Sequence, residues 1–470
     1  MMMGKLRTYS FLLLVFASTF SWAQGTNISV QLEGVNLKEI YLGYHLADQK
    51  FVEDTLEVDE KGIVKIEDEG PLVPGLYFLY APDIFYQELV INEPSFSLTA
   101  DGKGYENFQV EGSRENEFFR SFQLGMIGFQ RSRLSLSDSL NKVSGADSLA
   151  LLDQIRQVNR EAEDFRASLV AEQPDLMISK MVRLMSSVET KDFSDVSDER
   201  ERKVLAYQHY RRTFKDRLDF EEKGLLRTPV FKSNVFKYIT EVIPQLSDTI
   251  ISEIDEIFLT IGEDPIAFRY WLVLFTNHYQ NAKIMGQDAV FVHLLKEYYV
   301  SGRADWISEE SLQKMREEIA FTEPNLIGRV APDLALLDTT LNPVYPLQSL
   351  LEEYIVLFFY DPDCGHCKKK TPVLKEAYYD LKDLGAEVVA VCTISNTDRW
   401  KQYINENELE WVNLADPYTQ SRFKVDYDVR SVPRLYILNK ERKIIAKRLD
   451  VDQVVQFITD YDNLVNGQAN

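Results

Sequence analysis

The spacing of apolar positions changes twice along the chain. Over residues 24–113, short runs that alternate between apolar and polar side chains are separated by turn residues such as Lys61-Gly62 and Pro74-Gly75. This alternation is typical of strands with one buried face, and no helical pattern lies between the runs. It predicts a small N-terminal antiparallel sandwich or barrel, and of these we expect the β sandwich. The predicted strands cover residues 28–32, 39–44, 77–80, 86–91 and 95–99.

From residue 114 to residue 325, apolar residues recur at three- and four-residue spacing with charged residues between them. This pattern predicts a central all-α domain, with Ser197 and Asp198 as candidate N-caps of one helix. The segment is rich in aromatic residues, which we interpret as the core of a helical bundle. A groove for an extended peptide is the alternative. The clearest predicted helices cover residues 147–172, 199–222, 230–243 and 267–279.

Strand and helix patterns alternate over residues 326–470, which predicts an α/β domain. The run 354–360 is apolar throughout, as expected of a strand that is buried on both faces. A helix over 364–384, a strand over 387–393 and a helix over 398–407 are predicted to follow. The strands 435–438 and 443–447 and a final helix over 451–461 complete the predicted domain.

Residues 1–23 have the composition of a signal peptide. Lys5 and Arg7 precede a short apolar stretch, and Ser21-Trp22-Ala23 places small residues where a signal peptidase cuts. The apolar stretch is too short to span a bilayer. No cysteine follows the predicted cut, which argues against a lipoprotein. We therefore expect a protein exported to the periplasm or cell envelope, with a cleaved signal.

The net charge and the cysteine content limit the range of functions that the chain can have. The chain has 52 Lys and Arg residues against 74 Asp and Glu residues, a net charge of −22 that disfavours binding to nucleic acids. Its three cysteines, Cys364, Cys367 and Cys392, are too few for a stabilising disulfide framework. The close pair Cys364 and Cys367 is therefore the most informative feature of the composition.

The sequence Cys364-Gly365-His366-Cys367 opens a predicted helix directly after a buried strand. A helix N-terminus favours the thiolate form of the first cysteine, which can attack a substrate disulfide. The second cysteine can then resolve the mixed disulfide. We expect Cys364 to be the nucleophile and Cys367 the resolving thiol, with Gly365 and His366 tuning the redox chemistry. The cofactor would be this redox-active disulfide itself.

Other interpretations of the cysteines are weaker. A structural disulfide here would close a very short loop and add little stability. A zinc site would need a second pair of ligands, and the sequence has neither another CxxC nor an HxxxH motif, so we predict no metal site. Cys392 lies in an apolar run and is expected to be a buried, inert strand residue.

These features resemble the thioredoxin fold of the TlpA/ResA-like, AhpC/TSA-related group. The resemblance implies that Val432-Pro433 is a cis peptide that faces the cysteines and binds substrate. It also implies that the upstream blocks are accessory regions of the kind found in exported Bacteroidetes proteins. The matching residues are Ala331-Pro332-Asp333-Leu334, the strand at 356–360, the CGHC motif, Pro372 and Ser431-Val432-Pro433.

Two positions depart from that group. Many ResA-type relatives have a glutamate three residues after the second cysteine, where this chain has Lys370. Thioredoxins bury an aspartate where this chain has Phe358. Both carboxylates help to move the proton of the resolving thiol, so another group or water must do so here.

The expected function is a thiol–disulfide oxidoreductase that reduces disulfides in other exported, cysteine-containing proteins. It would exchange electrons with an unidentified membrane donor or acceptor, as in the cytochrome c maturation branch. The CGHC sequence is similar to that of protein disulfide isomerases, so the oxidase or isomerase direction is the alternative. A peroxidase is disfavoured because Asp361 stands where peroxiredoxins have threonine, and no arginine adjoins the motif. A binding protein with a secondary redox centre is a further alternative.

Overall fold

A computed structural model describes residues 25–467, which form two compact units. The first unit ends at Tyr238 and the second begins at Ile239. This boundary falls inside the segment 114–325 that the sequence predicts as one helical domain. The predicted signal peptide at 1–23 lies outside the described residues. Within residues 25–467, no helix has both the length and the apolar character needed to cross a lipid bilayer.

The first unit begins with eight strands in two four-stranded sheets, ordered β4-β1-β7-β8 and β3-β2-β5-β6. The burial of alternate residues in β1 and β7 confirms the predicted strand pattern there. The strands are β1 (Thr26–Leu32), β2 (Glu39–Leu46), β3 (Gln49–Glu57), β4 (Ile63–Asp68), β5 (Gly75–Ala81), β6 (Phe85–Ile91), β7 (Ser95–Ala100) and β8 (Gln109–Glu111).

The pairing of β1 with β7 departs from the antiparallel prediction. These strands run parallel, with Ile28 opposite Phe96, whereas the other pairings in the two sheets are antiparallel. A parallel pair needs a long connection, and the five intervening strands provide it. The strands β3, β4 and β8 were not predicted; almost all of β3 is exposed, so its sequence lacks a regular alternation.

Helices complete the first unit and contact its strands. The side chain of Asn116 donates a hydrogen bond to the carbonyl oxygen of Val90 in β6, 2.8 Å away. Asp198 caps α4 by accepting the Glu201 amide at 2.7 Å, as predicted, but this helix ends at Lys215 rather than residue 222. The helices are α1 (Arg114–Leu140), α2 (Ala146–Glu172), α3 (Met177–Met185), α4 (Glu199–Lys215), a 3₁₀ turn (Lys223–Arg227) and α5 (Phe231–Lys237). A π-helical turn (Tyr238–Val242) follows.

The second unit begins with helices whose core is aromatic. The rings of Phe258 and Tyr298 lie 4.6 Å apart, and Phe268 contacts both. This agrees with the interpretation of the aromatic residues as core. The elements are α6 (Ser247–Ile261), α7 (Pro265–Gln280), α8 (Asp288–Leu294), a π turn (Leu295–Val300), α9 (Glu309–Thr322) and a 3₁₀ turn (Glu323–Asn325).

The rest of the second unit is built on one mixed sheet of seven strands, ordered β10-β9-β13-β12-β11-β14-β15. Strands β11, β12 and β13 are parallel to one another, and the remaining pairs are antiparallel. The strands are β9 (Leu336–Leu337), β10 (Pro343–Val344), β11 (Tyr354–Tyr360), β12 (Ala386–Cys392), β13 (Val412–Ala415), β14 (Arg434–Leu438) and β15 (Ile444–Lys447).

Helices cover both faces of this sheet. Every residue of β11 is buried, with Val356 and Phe358 in the core of one face and Ile355 and Leu357 in the core of the other. The all-apolar run was therefore interpreted correctly as a strand buried on both faces. The helices are α10 (Pro346–Ser349), α11 (Gly365–Glu376), α12 (Tyr378–Asp383), α13 (Thr397–Asn407), α14 (Phe423–Asp426) and α15 (Val454–Gly467).

A buried ion pair joins the helical and α/β parts of the second unit. The ammonium group of Lys447 in β15 contacts the carboxylate of Asp288 in α8, and both side chains are less than a tenth exposed. Lys447 also donates to the carbonyl and side-chain oxygens of Asn325, at 2.9 and 3.1 Å. These helices therefore belong structurally with the α/β part, which explains why the unit boundary divides the predicted helical domain.

Candidate active site

The two cysteines of the CGHC motif lie where β11 gives way to α11. Strand β11 ends at Tyr360, a short loop follows, and Cys364 occupies the N-cap position of the helix that begins at Gly365. The carbonyl oxygen of Cys364 accepts the amide of Lys368 at 3.0 Å, which starts the helical hydrogen bonding. The first sulfur is therefore carried by the N-terminal end of the helix, where free amide groups favour a negative charge.

The two thiols differ in their access to solvent. Cys364 is partly exposed, whereas Cys367 is completely buried in the core beneath the helix. Both are free thiols in this structure. A disulfide substrate can therefore reach the sulfur of Cys364 first, and Cys367 is positioned to act only on a partner that is already attached to Cys364.

The pKa of the Cys364 thiol lies below its ordinary value. Burial alone would raise this pKa, but hydrogen bonds from the Cys367 amide and thiol and from the His366 amide outweigh it. The nearby Asp361 carboxylate opposes them. The balance, which sequence alone left undecided, therefore favours the thiolate, the form that attacks disulfides.

The thiol pKa values of the other two cysteines are raised, in contrast to that of Cys364. Burial raises the pKa of the Cys367 thiol to about 12, although the Asp361 backbone amide donates a hydrogen bond to its sulfur. Burial also raises the pKa of Cys392 to about 12. Cys392 lies at the end of β12, opposite Tyr360 in β11, and is almost fully enclosed. Its environment is that of an unreactive thiol.

Val432 and Pro433 complete the immediate surroundings of Cys364. The peptide bond between them is cis, as the resemblance implied. The Cys364 thiol lies 3.6 Å from the carbonyl oxygen of Val432 and donates to it. The structure therefore brings together two predicted site segments that lie 68 residues apart in sequence.

The residues between the cysteines are open to solvent. His366 is exposed on the first turn of α11. A side chain at Gly365 would meet no atom within 4 Å, so the fold does not require glycine at this position. Of the lysines that follow the motif, Lys368 lies 3.9 Å from Asp363, and Lys370 is paired with Asp450 at 2.6 Å.

Residues 327–447, which include the cysteines and the cis peptide, match the sequence profile of the AhpC/TSA family. The matched segment lies entirely within the second unit. The predicted likeness to the TlpA/ResA group is confirmed for this part of the chain by the relatives that it matches.

Three similar proteins illustrate the extent of the match. Thiol-disulfide oxidoreductase ResA of Bacillus subtilis is 27% identical over 138 residues, 29% of this chain and 75% of that protein. Nucleoredoxin of Bos taurus is 30% identical over 106 residues, 21% of this chain and 23% of that protein. The chain thus spans about a quarter of the length of the nucleoredoxins that it matches. A solved domain of a possible thiol-disulfide isomerase from Cytophaga hutchinsonii is 32% identical, covering 30% of this chain and 97% of that domain with a TM-score of 0.29.

Phe358 and Lys370, the two positions at which the matched segment departs from related proteins, make other contacts in the structure. Phe358 is fully buried and stacks on Tyr360, with ring centroids 5.8 Å apart, so an apolar contact occupies the place of the thioredoxin aspartate. Lys370 points to Asp450, which caps the turn at Val451–Gln453. Neither position places a carboxylate beside Cys367.

Helix α13 adds residues that the motif did not reveal. The Arg399 guanidinium donates to Asp363 at 3.1 Å and to the carbonyl oxygen of Pro362 at 3.4 Å, which braces the loop before Cys364. Tyr403 donates to the Thr371 hydroxyl of α11 at 3.0 Å. No arginine adjoins the motif in sequence, and the structure brings Arg399 to it from α13. Its separation of 36 residues from Asp363 left no local signal.

Proposed function

We propose that the protein is an exported thiol–disulfide oxidoreductase that uses Cys364 as nucleophile and Cys367 as resolving thiol. The observation that supports this most directly is the asymmetry of the pair. A partly exposed thiol with a lowered pKa stands at a helix N-terminus, against the Val432 carbonyl, with a fully buried thiol one turn below it.

In the proposed reaction, the Cys364 thiolate attacks one sulfur of a substrate disulfide. A bond forms between the two sulfurs, and the other substrate sulfur leaves as a thiolate. Cys367 then loses its proton and attacks the Cys364 sulfur, which releases the second substrate thiolate and leaves the Cys364–Cys367 disulfide. The substrate gains two electrons and the dithiol loses two.

We favour reduction as the physiological direction, with oxidation or isomerisation as the alternative. Support for reduction comes from the resemblance to the TlpA/ResA group, whose cytochrome c maturation branch has a reductase role. The CGHC sequence supports the alternative, because such isomerase-type centres lie near roughly −180 mV against about −270 mV for thioredoxin.

The partners that we propose are cysteine-containing proteins of the cell envelope, and a membrane protein that supplies or accepts electrons. The leader-like residues 1–23 support export. We propose that the N-terminal sheets form a sandwich and that they, with the helical segment 114–325, are accessory parts that hold or orient a partner. No nucleic acid or metal is part of the proposal.

The test is to equilibrate the mature protein in thiol–disulfide buffers and to measure the reduction potential of the Cys364–Cys367 pair. A value near or below about −250 mV supports a reductase, and a value above about −200 mV supports an oxidase or isomerase. Cys364→Ser should abolish exchange with a protein disulfide, whereas Cys367→Ser should accumulate the mixed disulfide.

Cys392→Ala is the matched control, because it removes a thiol that has no role in the proposed reaction. It should leave the exchange rate unchanged. A protein without a titratable couple, or a Cys364→Ser variant that keeps full function in cells, would exclude the enzyme and favour the binding protein.

A further inference from the structure

The Val432 carbonyl lies in a segment that has neither helix nor strand. Residues 427–433, which we call the Val432 loop, connect α14 to β14. The loop contacts the active site through the Val432 carbonyl oxygen, 3.6 Å from the Cys364 sulfur. A backbone group that pairs with a substrate must keep one position, because ordering a mobile segment on binding costs conformational entropy. The proposed function therefore requires contacts that hold this loop in place.

One buried carboxylate joins the two ends of the Val432 loop. The Asp428 side chain is only 8% exposed. One of its oxygens accepts the Arg430 Nε at 2.5 Å, and the other accepts the Arg434 guanidinium at 3.2 Å. Arg430 and Arg434 stand on either side of Ser431-Val432-Pro433 in the sequence. Both oxygens thus hold these three residues through charge-assisted hydrogen bonds, which are stronger than neutral ones.

The two ends of the loop are anchored independently of this carboxylate. At one end, Tyr427 is fully buried, and its carbonyl oxygen accepts the Tyr436 hydroxyl at 2.6 Å. At the other end, Arg434 is the first residue of β14 and pairs with Phe359 in β11. The Asp428 carboxylate is therefore carried by a fixed backbone and can impose that position on the residues that it binds.

The backbone at Asp428 has a conformation that suits aspartate. Its φ is 46°, in the left-handed region that most residues avoid and that aspartate and asparagine tolerate. Asparagine at this position preserves the backbone preference but removes the charge. The substitution Asp428→Asn therefore isolates the contribution of the two ion pairs.

Helix α9 and the turn after it support the outer side of the Val432 loop. The Arg430 guanidinium donates to the Glu318 carboxylate at 2.6 Å and lies over the Phe321 ring, 4.6 Å from its centroid. The side chain of Asn325 donates to the Asp426 carbonyl oxygen at 3.0 Å, just before the loop begins. This part of the helical segment therefore contributes to the position of the loop.

We propose that Asp428 is a positioning residue that fixes the Val432 carbonyl where the backbone of a protein substrate pairs with it. It acts through Arg430 and Arg434 rather than by contact with the substrate. Its effect is confined to protein disulfides, because a small disulfide has no peptide backbone to pair with Val432 and needs only the Cys364 sulfur. This inference rests on the proposed function and adds a basis for selecting protein disulfides over small ones.

The test compares a protein disulfide with a small one. The reduced protein is mixed with excess insulin or with an aryl disulfide. The loss of the Cys364 and Cys367 thiols is followed by acid quenching, alkylation and mass spectrometry. The readout is the ratio of the two second-order rate constants. The variants are Asp428→Asn and Arg430→Gln, and the matched control is Asp426→Asn, which removes the same charge two residues away.

We expect Asp428→Asn and Arg430→Gln to lower the rate constant with insulin about tenfold, as for the loss of one charge-assisted hydrogen bond, and to keep that with the aryl disulfide within about threefold. Asp426→Asn should keep both rate constants, because its carboxylate pairs with the exposed Arg422. A change that only loosened the fold or altered Cys364 would move both rate constants together. Arg430 is 42% exposed, so Arg430→Gln should fold and decides the test if Asp428→Asn does not.

Unchanged rate constants with insulin in Asp428→Asn and Arg430→Gln, or equal losses with both disulfides, would overturn the inference and leave the proposed function standing. A loss with insulin in Asp426→Asn as large as that in Asp428→Asn would point to a general effect of negative charge and would also overturn it. A natural protein whose thiols react with neither disulfide would overturn the proposed function together with this inference.

Discussion

The Cys364 thiol donates a hydrogen bond to the carbonyl oxygen of Val432, with sulfur and oxygen 3.6 Å apart. This contact brings the exposed thiol next to the cis Val432–Pro433 peptide. If an extended segment of a substrate protein paired with this backbone, a cysteine in that segment would bring its sulfur close to Cys364. The same thiol also receives hydrogen bonds from the first turn of α11, so its reactivity depends on a partner that is itself part of the redox pair.

Replacing Cys367 should therefore change the acidity of Cys364. In Cys367→Ala the thiol donor is lost, and we expect the pKa of Cys364 to rise by about one unit, in line with the strength of one hydrogen bond to a charged group. In Cys367→Ser the hydroxyl can still donate, and the rise should be smaller. The pH dependence of Cys364 alkylation, followed by mass spectrometry, measures both, and equal midpoints for natural protein and Cys367→Ala would contradict the prediction.

Lys370 should contribute little to exchange even though it occupies the position of a family glutamate. Its ion pair with Asp450 is open to solvent on both sides, so Lys370→Ala should lower the free energy of unfolding only slightly. We expect an exchange rate close to that of the natural protein. Denaturant unfolding and the rate of exchange with a protein disulfide test this, with the exposed neighbour Lys369→Ala as the control.

Glutamate at position 370 provides a stricter test. Lys370→Glu would restore the family residue but place it against Asp450, where repulsion should destabilise the protein more than Lys370→Ala does. We expect Lys370→Glu to leave the rate of disulfide exchange close to that of the natural protein. A faster exchange would mean that a carboxylate at position 370 assists the deprotonation of Cys367.

Loss of the buried ion pair between Lys447 and Asp288 should destabilise the protein more than loss of the Lys370–Asp450 pair. Asp288→Asn leaves Lys447 without an ion-pair partner in the interior, and it should cost about 3–5 kcal/mol in the free energy of unfolding. Lys447→Met leaves the Asp288 carboxylate with only Arg448, 3.9 Å away, and should also be strongly destabilising. Combining Lys447→Met with Asp288→Leu removes both charges and should cost less than either single change. Urea unfolding of the three variants checks this.

Lys440 provides the matched control for that experiment. Its pair with Glu353 at 2.5 Å belongs to the same α/β part but is more than half exposed on both sides. Lys440→Met should therefore change the free energy of unfolding very little. A cost for Lys447→Met that is no larger than this would show that the buried pair is not needed to hold the helical and α/β parts together.

The sequence predicted the elements whose burial is strong and local. The bounds of β11 agree with the prediction because all seven of its residues are apolar or aromatic and buried. The predicted helix over 364–384 is instead two helices, α11 and α12, that meet at Ala377. The short strands β9 and β10 were missed because two residues carry no recognisable alternation. The parallel pairing of β1 and β7 depends on chain topology, which local patterns do not contain.

The site was predictable where its residues are neighbours in sequence or form a motif that resembles a known family, as Val432 and Pro433 do. Cys364, Cys367 and the helix that they open could be recognised from the motif and the strand before it. Arg399 and Asp450 reach the same region from 36 and 80 residues away, and nothing in their own neighbourhoods indicates it. The direction of the pKa shift of Cys364 could not be predicted from the sequence. It depends on the balance between burial, hydrogen bonds to the sulfur and the charge of Asp361, which only the folded structure defines.

The seven-stranded sheet has outer strands that offer little backbone for further pairing. At one side, β10 has only two residues and one is Pro343. At the other, the backbone amide of Lys447 in β15 donates to the sulfur of Met285, 3.3 Å away. Proline and covered amides both prevent a foreign strand from extending a sheet. A thiol–disulfide oxidoreductase that acts on other proteins, as we propose, repeatedly meets extended, unpaired segments. With these outer strands blocked, such segments would be directed to the Val432 carbonyl rather than drawn into aggregates along the sheet.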